Sequence, residues 1–236
     1  MQIYDSQMAK LYKDFELYNK LNTTGEFPIN QDDVMLCAEW DSSAGTPLNE
    51  TYFVQDLWGA GKVFEAMPEK HYDIGSRVDY FIAHLLSFKM PTVLIDIRPL
   101  ETYGTEYLSF IQADATSLDG IGSGSVESLS ALCSIEHFGL GRYGDPIDPF
   151  AHLKAFESVQ RVLAKGGNAY ISLPVGPTNR LQFNAHRIYF PGYVIECFKH
   201  CELLEFSLCT EKGLLRNAPL QLDSIYMAGL FHFKKK

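Results

Sequence analysis

At 236 residues the chain can bury a sizeable core as one domain with a small appendage, and 46% apolar with 21% charged residues is ordinary for a globular protein. A formal net charge of −9 argues against binding a phosphate backbone, because nucleic-acid binders present clustered Lys and Arg; the Lys234–Lys236 run reads as a solvated tail. The five cysteines lack framework spacing, the N-terminus lacks a signal-peptide core and no apolar run reaches membrane-spanning length, which together predict a cytoplasmic protein without a membrane span.

Met8 to Leu21 has helical period, with Leu11, Phe15 and Tyr18 on one face. From Asn22 to Asn49 the composition is mixed, with turn signals at Thr24-Gly25, Asp41-Ser-Ser and Gly45-Thr-Pro47. Residues 1–50 are therefore expected to form a helical and irregular cap, and 51–236 the main domain. Thr51–Met67 reads as a helix weakened by Gly59 and Gly61. Its Gly-Ala-Gly-Lys lacks the Walker spacing, and no Ser or Thr follows Lys62.

His71 to Pro99 carries the organising pattern: a short strand, HYDIG, a helix, VDYFIAHLLSF, and a β-branched strand, TVLIDI. A strand, a Gly turn, a helix and a second strand ending in an acid form half of a nucleotide-binding α/β unit. Asp73 ends the first strand and Asp96 the second, where a carboxylate can accept both ribose hydroxyls. Asp73 serves either the ligand or the loop itself.

Leu108–Gln112 is a short strand before Ala113-Asp114-Ala115, and a Gly/Ser loop spans Asp119–Ser125. Val126–Ile135 reads as a buried strand with Glu136-His137 at its carboxyl end, followed by the polar loop FGLGRYGDPIDP. Pro149–Ala164 is an amphipathic helix stopped by Lys165-Gly-Gly, and Asn168–Leu173 a strand closed by Pro174. A polar and aromatic insertion spans 175–191; a helix follows over Gly192–Cys201, then strands over Glu202–Cys209 and Ser224–Phe233. Cys197, His200 and Cys201 lack a fourth ligand and read as core, so no metal site is expected. The alternation predicts an α/β fold: a Rossmann-like, mainly parallel sheet of about seven strands, helices on both faces and an antiparallel C-terminal hairpin.

Across residues 50–234 this order resembles the class I S-adenosylmethionine-dependent methyltransferases. Asp73-Ile-Gly75 stands for the Gly loop, Ile95-Asp96 for the ribose acid and Ala113-Asp114-Ala115 for the adenine loop. Cys133-Ser-Ile-Glu-His137 and Leu163-Ala-Lys-Gly-Gly167 take the positions after the fourth strand and before the fifth. More narrowly, HYDIGSRVDYFIAHLL and EHFGLGRYGDPIDP resemble an uncharacterised bacterial and nematode family. The resemblance implies S-adenosyl-L-methionine as cofactor, held by Asp73, Gly75, Ser76, Arg77, Asp96, Asp114, Ala115 and Ser134. The Gly loop departs from the pattern, keeping one glycine in Asp73-Ile-Gly75-Ser76-Arg77-Val78-Asp79. Lost glycines bring a Cβ towards the ligand, whereas Arg77 is placed to pair with a carboxylate.

Methyl transfer from a sulfonium needs alignment of donor and acceptor, and sometimes a base for the acceptor's proton. Glu136, His137 and His186 are the candidates, since an imidazole titrates near neutral pH. The alternative is a histidine hydrogen-bonded into its loop, and Asp114 likewise reads either adenine or the local backbone. Arg142, Tyr143 and Asp145 in the first loop, with Asn184, Arg187 and Tyr189 in the insertion, offer polar heads to a substrate. They suit a small polar acceptor, such as a sugar or nucleotide-sugar hydroxyl. A methyltransferase-like fold that binds a ligand or partner without turnover is the alternative. A nicotinamide-dependent oxidoreductase is disfavoured, because a pyrophosphate requires the missing glycines.

Overall fold

A computed structural model describes residues 2–25, 28–29 and 48–236; of residues 2–7 and 11 it describes the backbone alone. The chain divides into two compact units, residues 1–46 and 47–236. The first contains helix α1 (Gln2–Leu21), with a Lys10–Asp14 ion pair of 2.9 Å one turn apart on its exposed surface. Phe15 is half-buried and Tyr18 exposed, and a turn follows at Thr23-Thr24. The side chain of Leu11, Cys37 and the turn signals at 41–43 and 45–47 lie outside the described residues.

The second unit is an eight-stranded sheet with helices on both faces. Helix α2 (Thr51–Ala66) starts where the Glu50 carboxylate accepts the Phe53 amide at 2.9 Å, and ends at left-handed Met67. Strand β1 (His71–Ile74), helix α3 (Tyr80–Ser87) and strand β2 (Thr92–Asp96) follow as the hydrophobic pattern predicts. Next come β3 (Leu108–Gln112), β4 (Val126–Leu132), α4 (Ala151–Val162) and β5 (Leu163–Val175). The small hairpin β6 (Arg180–Gln182) and β7 (His186–Ile188) leads to α5 (Pro191–Cys197), β8 (Cys201–Thr210), β9 (Gly213–Leu215) and β10 (Tyr226–Lys235).

The sheet order is β3-β2-β1-β4-β5-β10-β8-β9. Strands β1 to β5 are parallel, and β10 lies antiparallel between β5 and β8. The order reverses between β1 and β4, and there the crevice opens. One apolar layer packs Phe156, Val159 and Phe198 against this sheet; the other packs Trp58, Phe81 and Leu85 against its opposite face.

Three local expectations change. Lys165-Gly-Gly lies inside β5 rather than ending α4: Gly166 has φ +77°, and a Cβ on Gly167 would sit 2.9 Å from the carbonyls of Ala164 and Val126, so the pair forms a kink in the strand. The last two long strands do pair antiparallel, but β10 inserts into the sheet instead of forming its edge. Residues 175–191 hold a hairpin whose end returns to the main sheet by the Val175–Tyr189 bridge.

Gly59 lets α2 approach closely, since a Cβ there would stand 3.0 Å from both Leu132 and Phe81. Lys62 has a structural partner: its ammonium lies 2.7 Å from the Glu205 carboxylate on β8. Glu205 also accepts hydrogen bonds from Trp58, Ser207 and Arg216. Burial alone would raise the Glu205 pKa, but these donors, led by Lys62, bring it down to about 2.

Candidate active site at the carboxyl edge of the sheet

A cavity of about 880 Å³ opens at the carboxyl ends of β1 to β4. Gly75, Ser76, Arg77, Asp96, Asp114 and Ala115 line it, and Ser134, His137, Tyr143 and Asp145 complete that set of predicted residues.

The turn after β1 needs its glycine. Gly75 has φ +76°, and a Cβ would meet the Ser134 Cβ at 2.9 Å. Asp73 is fully buried below this turn, outside the cavity lining. Its carboxylate accepts the Ser76 amide at 3.1 Å, the Ser76 hydroxyl at 3.0 Å and the Ser130 hydroxyl at 2.5 Å. Burial nevertheless pushes its pKa up to about 6.

Beneath it, His71 lies between the Ser130 and Ser128 hydroxyls, 2.8 Å from each. Ser130 spends its one proton on Asp73, so it accepts from His71 Nε2–H, and Nδ1 accepts from Ser128. Complete burial holds that imidazole neutral, with its pKa pushed down to about 3. Arg77 points to solvent, 3.1 Å from Asp79, which caps α3 by accepting the Tyr80 amide.

Asp96 ends β2 with its side chain only 13% exposed, because Arg98 covers it. Its Oδ1 accepts the Arg98 amide at 2.8 Å and Nε at 2.9 Å, and Oδ2 accepts Nη2 at 2.7 Å. Burial would raise this pKa, but the Arg98 hydrogen bonds and charge hold it below the usual carboxylate range. The same guanidinium stacks 4.8 Å over the Tyr143 ring, which faces Arg142 at 5.3 Å. After β3, Asp114 accepts the Thr116 amide at 2.8 Å, while the buried Ala115 carbonyl accepts Ser158 of α4 at 2.6 Å.

After β4, a 3-10 turn (Ile135–His137) presents the imidazole. His137 Nδ1 lies 2.6 Å from the Ala185 carbonyl. A carbonyl only accepts, so Nδ1 carries the proton and neutral Nε2 has a free lone pair. Burial, with Arg142 and His186 adding to it, lowers the His137 pKa. Glu136 is 2% exposed, and its Oε1 stands 3.6 Å from His137 Nε2. Burial raises the Glu136 pKa to about 8, so the carboxyl is protonated at neutral pH. The buried Ser134 Oγ, Glu136 Oε2 and His186 Nε2 have no hydrogen-bond partner among the described residues.

Asp145 organises its own loop, accepting the amides of Gly139, Gly141 and Tyr143. Arg142 donates to the Ala185 carbonyl at 3.3 Å, and the ring of His186 lies 6.2 Å from that of His137. His186 and the insertion's other candidates lie outside the cavity lining, as do Glu136 and Arg142. Arg187 is buried and donates to the carbonyls of Glu136, Phe138 and Pro149, Tyr189 belongs to the core, and Asn184 is exposed at the hairpin tip.

Sequence reasoning missed several lining residues: Tyr52, Gln55 and Asp56 of α2, Arg98 and Lys154. The signal was there for α2, because positions 52, 55 and 56 share one helical face. Gln55 Nε2 donates to Asp56 at 3.1 Å; burial, with the Asp79 and Asp73 charges adding to it, lifts the Asp56 pKa to about 6. Gln55 Oε1 accepts from Ser172 at 2.6 Å and Cys133 at 3.0 Å; burial raises the Cys133 pKa well above the usual thiol range. Among the described residues no cluster could hold a metal ion, and no helix is long and apolar enough to cross a membrane.

Residues 119–208 match a family described as Caenorhabditis protein of unknown function, DUF268. No curated protein matches the sequence. Among solved structures, the Burkholderia thailandensis 1,6-didemethyltoxoflavin-N1-methyltransferase, bound to 1,6-didemethyltoxoflavin and S-adenosylhomocysteine, superposes with a TM-score of 0.57 at 14% identity. That match covers 77% of this chain and 78% of that one. A TehB-like S-adenosylmethionine-dependent methyltransferase from Corynebacterium glutamicum gives 0.52 at 16% identity, over 75% of this chain and 88% of that one. The [4+2]-cyclase SpnF gives 0.52 at 13% identity, over 76% and 80%. With its parallel β3-β2-β1-β4-β5 core and antiparallel β10, the chain has the class I S-adenosylmethionine-dependent methyltransferase fold.

Proposed function

We propose that this chain is an S-adenosyl-L-methionine-dependent methyltransferase that O-methylates a small polar acceptor, such as a sugar or nucleotide-sugar hydroxyl. One observation carries this reading: four successive strand ends supply the Gly75 turn, Asp96, Asp114-Ala115 and Ser134 to one cavity of about 880 Å³. That volume lies in the range of small-molecule and cofactor sites.

The residues present fit the cofactor. Arg77 and Asp79, standing where the pattern has its second and third glycines, pair with each other at 3.1 Å with the Arg77 side chain in solvent, and Ser76 between β1 and this pair turns its hydroxyl back to Asp73. Asp96 Oδ2 keeps an acceptor site for a ribose hydroxyl, since among the described residues Arg98 Nη2 is its single hydrogen-bond donor. Asp114 Oδ1 is committed to the Thr116 amide, leaving Oδ2 for the adenine side. When bound, the cofactor supplies a methyl group on a sulfonium, which becomes a neutral thioether as the acceptor oxygen takes the methyl. His137 Nε2 takes the hydroxyl proton, its ring oriented by the Ala185 carbonyl. Tyr143 and Tyr52 offer hydrogen bonds to the acceptor from opposite sides of the chain's sequence.

Calorimetry with S-adenosylhomocysteine tests the cofactor half of this reading, and no binding at millimolar concentration defeats it. Transfer of labelled methyl to a panel of sugars and nucleotide-sugars tests the acceptor half. One feature favours a second reading, a non-catalytic module that binds a ligand or partner: Arg98 lies across Asp96 and reaches Tyr143. Absence of turnover with any acceptor, despite tight ligand binding, would support that module.

A further inference from the structure

Arg98 joins the two halves of the cavity, and neither the glycine turn nor the base accounts for it. A carboxylate has about four acceptor sites. The amide, Nε and Nη2 of Arg98 fill three on Asp96. Two ribose hydroxyls therefore do not fit on Asp96 unless the guanidinium gives up at least one bond. The guanidinium is also stacked on Tyr143, whose ring meets His137 edge-on at 5.4 Å. Tyr143 belongs to a loop with left-handed glycines at 139, 141 and 144, drawn together by the Asp145 carboxylate. One side chain thus contacts both the acid at the tip of β2 and the ring beside the base.

We infer that Arg98 is a displaceable guard of the ribose acid: ligand engagement of Asp96 draws the guanidinium off the carboxylate, frees Tyr143 and makes cofactor binding precede acceptor binding. This rests on the methyltransferase reading and adds an order of events to it. The alternative states are Arg98 paired with Asp96, and Arg98 released with Asp96 on the ligand; S-adenosylhomocysteine favours the second because its ribose needs the acceptors. Arg98 is a positioning residue here, acting on the acceptor side through Tyr143. Lysine cannot reproduce the role, because a single ammonium lacks the planar fork that engages both carboxylate oxygens and stacks on the ring.

The test compares wild type, Arg98→Ala and Arg98→Lys by calorimetry with S-adenosylhomocysteine and by hydrogen exchange without ligand. Removing a half-exposed ion pair that competes with the ligand should tighten binding roughly three- to tenfold in Arg98→Ala. Arg98→Lys should fall between the other two. In ligand-free protein the Tyr143 amide should exchange faster in Arg98→Ala than in wild type. In wild type the ligand should speed that amide, and in Arg98→Ala it should not. Equal or weaker binding by a folded Arg98→Ala, with wild type binding normally, overturns the guard and leaves the methyltransferase reading standing. Failure of both proteins to bind S-adenosylhomocysteine rejects that reading and the guard with it. Slow Tyr143 exchange in Arg98→Ala also overturns the link to the acceptor side.

Discussion

Replacing Glu136 by Gln should change how stability depends on pH. The folded carboxyl has a pKa of about 8 against an ordinary value of 4.5, because burial disfavours its charged form. Between those values the folded state holds a proton that the unfolded state has lost. Stability from this group is therefore fully present below the unfolded pKa and declines as pH rises towards 8. Over pH 6 to 8 the decline is about 2 kcal/mol, from a limiting slope of ~1.4 kcal/mol per pH unit that flattens as the folded group begins to ionise.

The other buried carboxyls and imidazoles titrate lower. Burial raises Asp56 and Asp73 to about 6 and lowers His71 to about 3 and His152 and His232 to about 4. They contribute alike to wild type and variant, so the difference between the two isolates Glu136. Gln keeps the shape and stays neutral. Urea unfolding at pH 6, 7 and 8 should show Glu136→Gln gaining about 2 kcal/mol on wild type across the range, with m unchanged. Parallel stabilities from pH 6 to 8 would mean the carboxyl is already ionised, and the argument from its burial would be wrong.

Asp96→Asn should weaken S-adenosylhomocysteine at least tenfold by calorimetry, through loss of the charged acceptor; unchanged affinity would remove Asp96 from the ribose site. Gly75→Ala should cost about 1–2 kcal/mol from its left-handed backbone alone, measured by urea unfolding, with the contact to Ser134 adding to it. His137→Ala should slow methyl transfer by roughly 10²-fold or more, whereas His186→Ala should have a smaller effect on the acceptor step. Because the His137 pKa is lowered, kcat/KM should lose activity only at pH below the ordinary imidazole range; a fall beginning above it would point to another base. Glu205→Ala should destabilise the protein by several kcal/mol in urea, since Lys62 would lose its 2.7 Å partner in a part-buried site and keep the exposed Glu65 at 3.9 Å; a change below 0.5 kcal/mol, roughly the size of a neutral surface substitution, would contradict that.

The succession of strands and helices up to β5 was legible because it rests on local signals: the HYDIG turn, the acid closing TVLIDI and the Ala-Asp-Ala loop. Periodicity also located α2 to α4 within a few residues. The position of β10 was not legible, because pairing between strands distant in sequence leaves no mark on the sequence between them. Polar residue type misled in the insertion. Arg187 satisfies three loop carbonyls and Tyr189 fills the core, and neither use differs in sequence from a ligand contact. Arg98 was overlooked for a related reason: two residues beyond an acid, an arginine reads as surface until the backbone turn brings its fork onto the carboxylate.

The row formed by Asp73, Ser130, His71 and Ser128 has a bearing on how the sheet assembles. Apolar side chains tolerate sliding, since one aliphatic neighbour serves nearly as well as the next. A histidine gripped at both nitrogens does not: moving β1 by one position against β4 would turn it to the opposite face and break each of the three hydrogen bonds that join the two strands in this row. The chain therefore dowels its two central strands together with polar pegs at the place where they part, and the mouth above them inherits a fixed width.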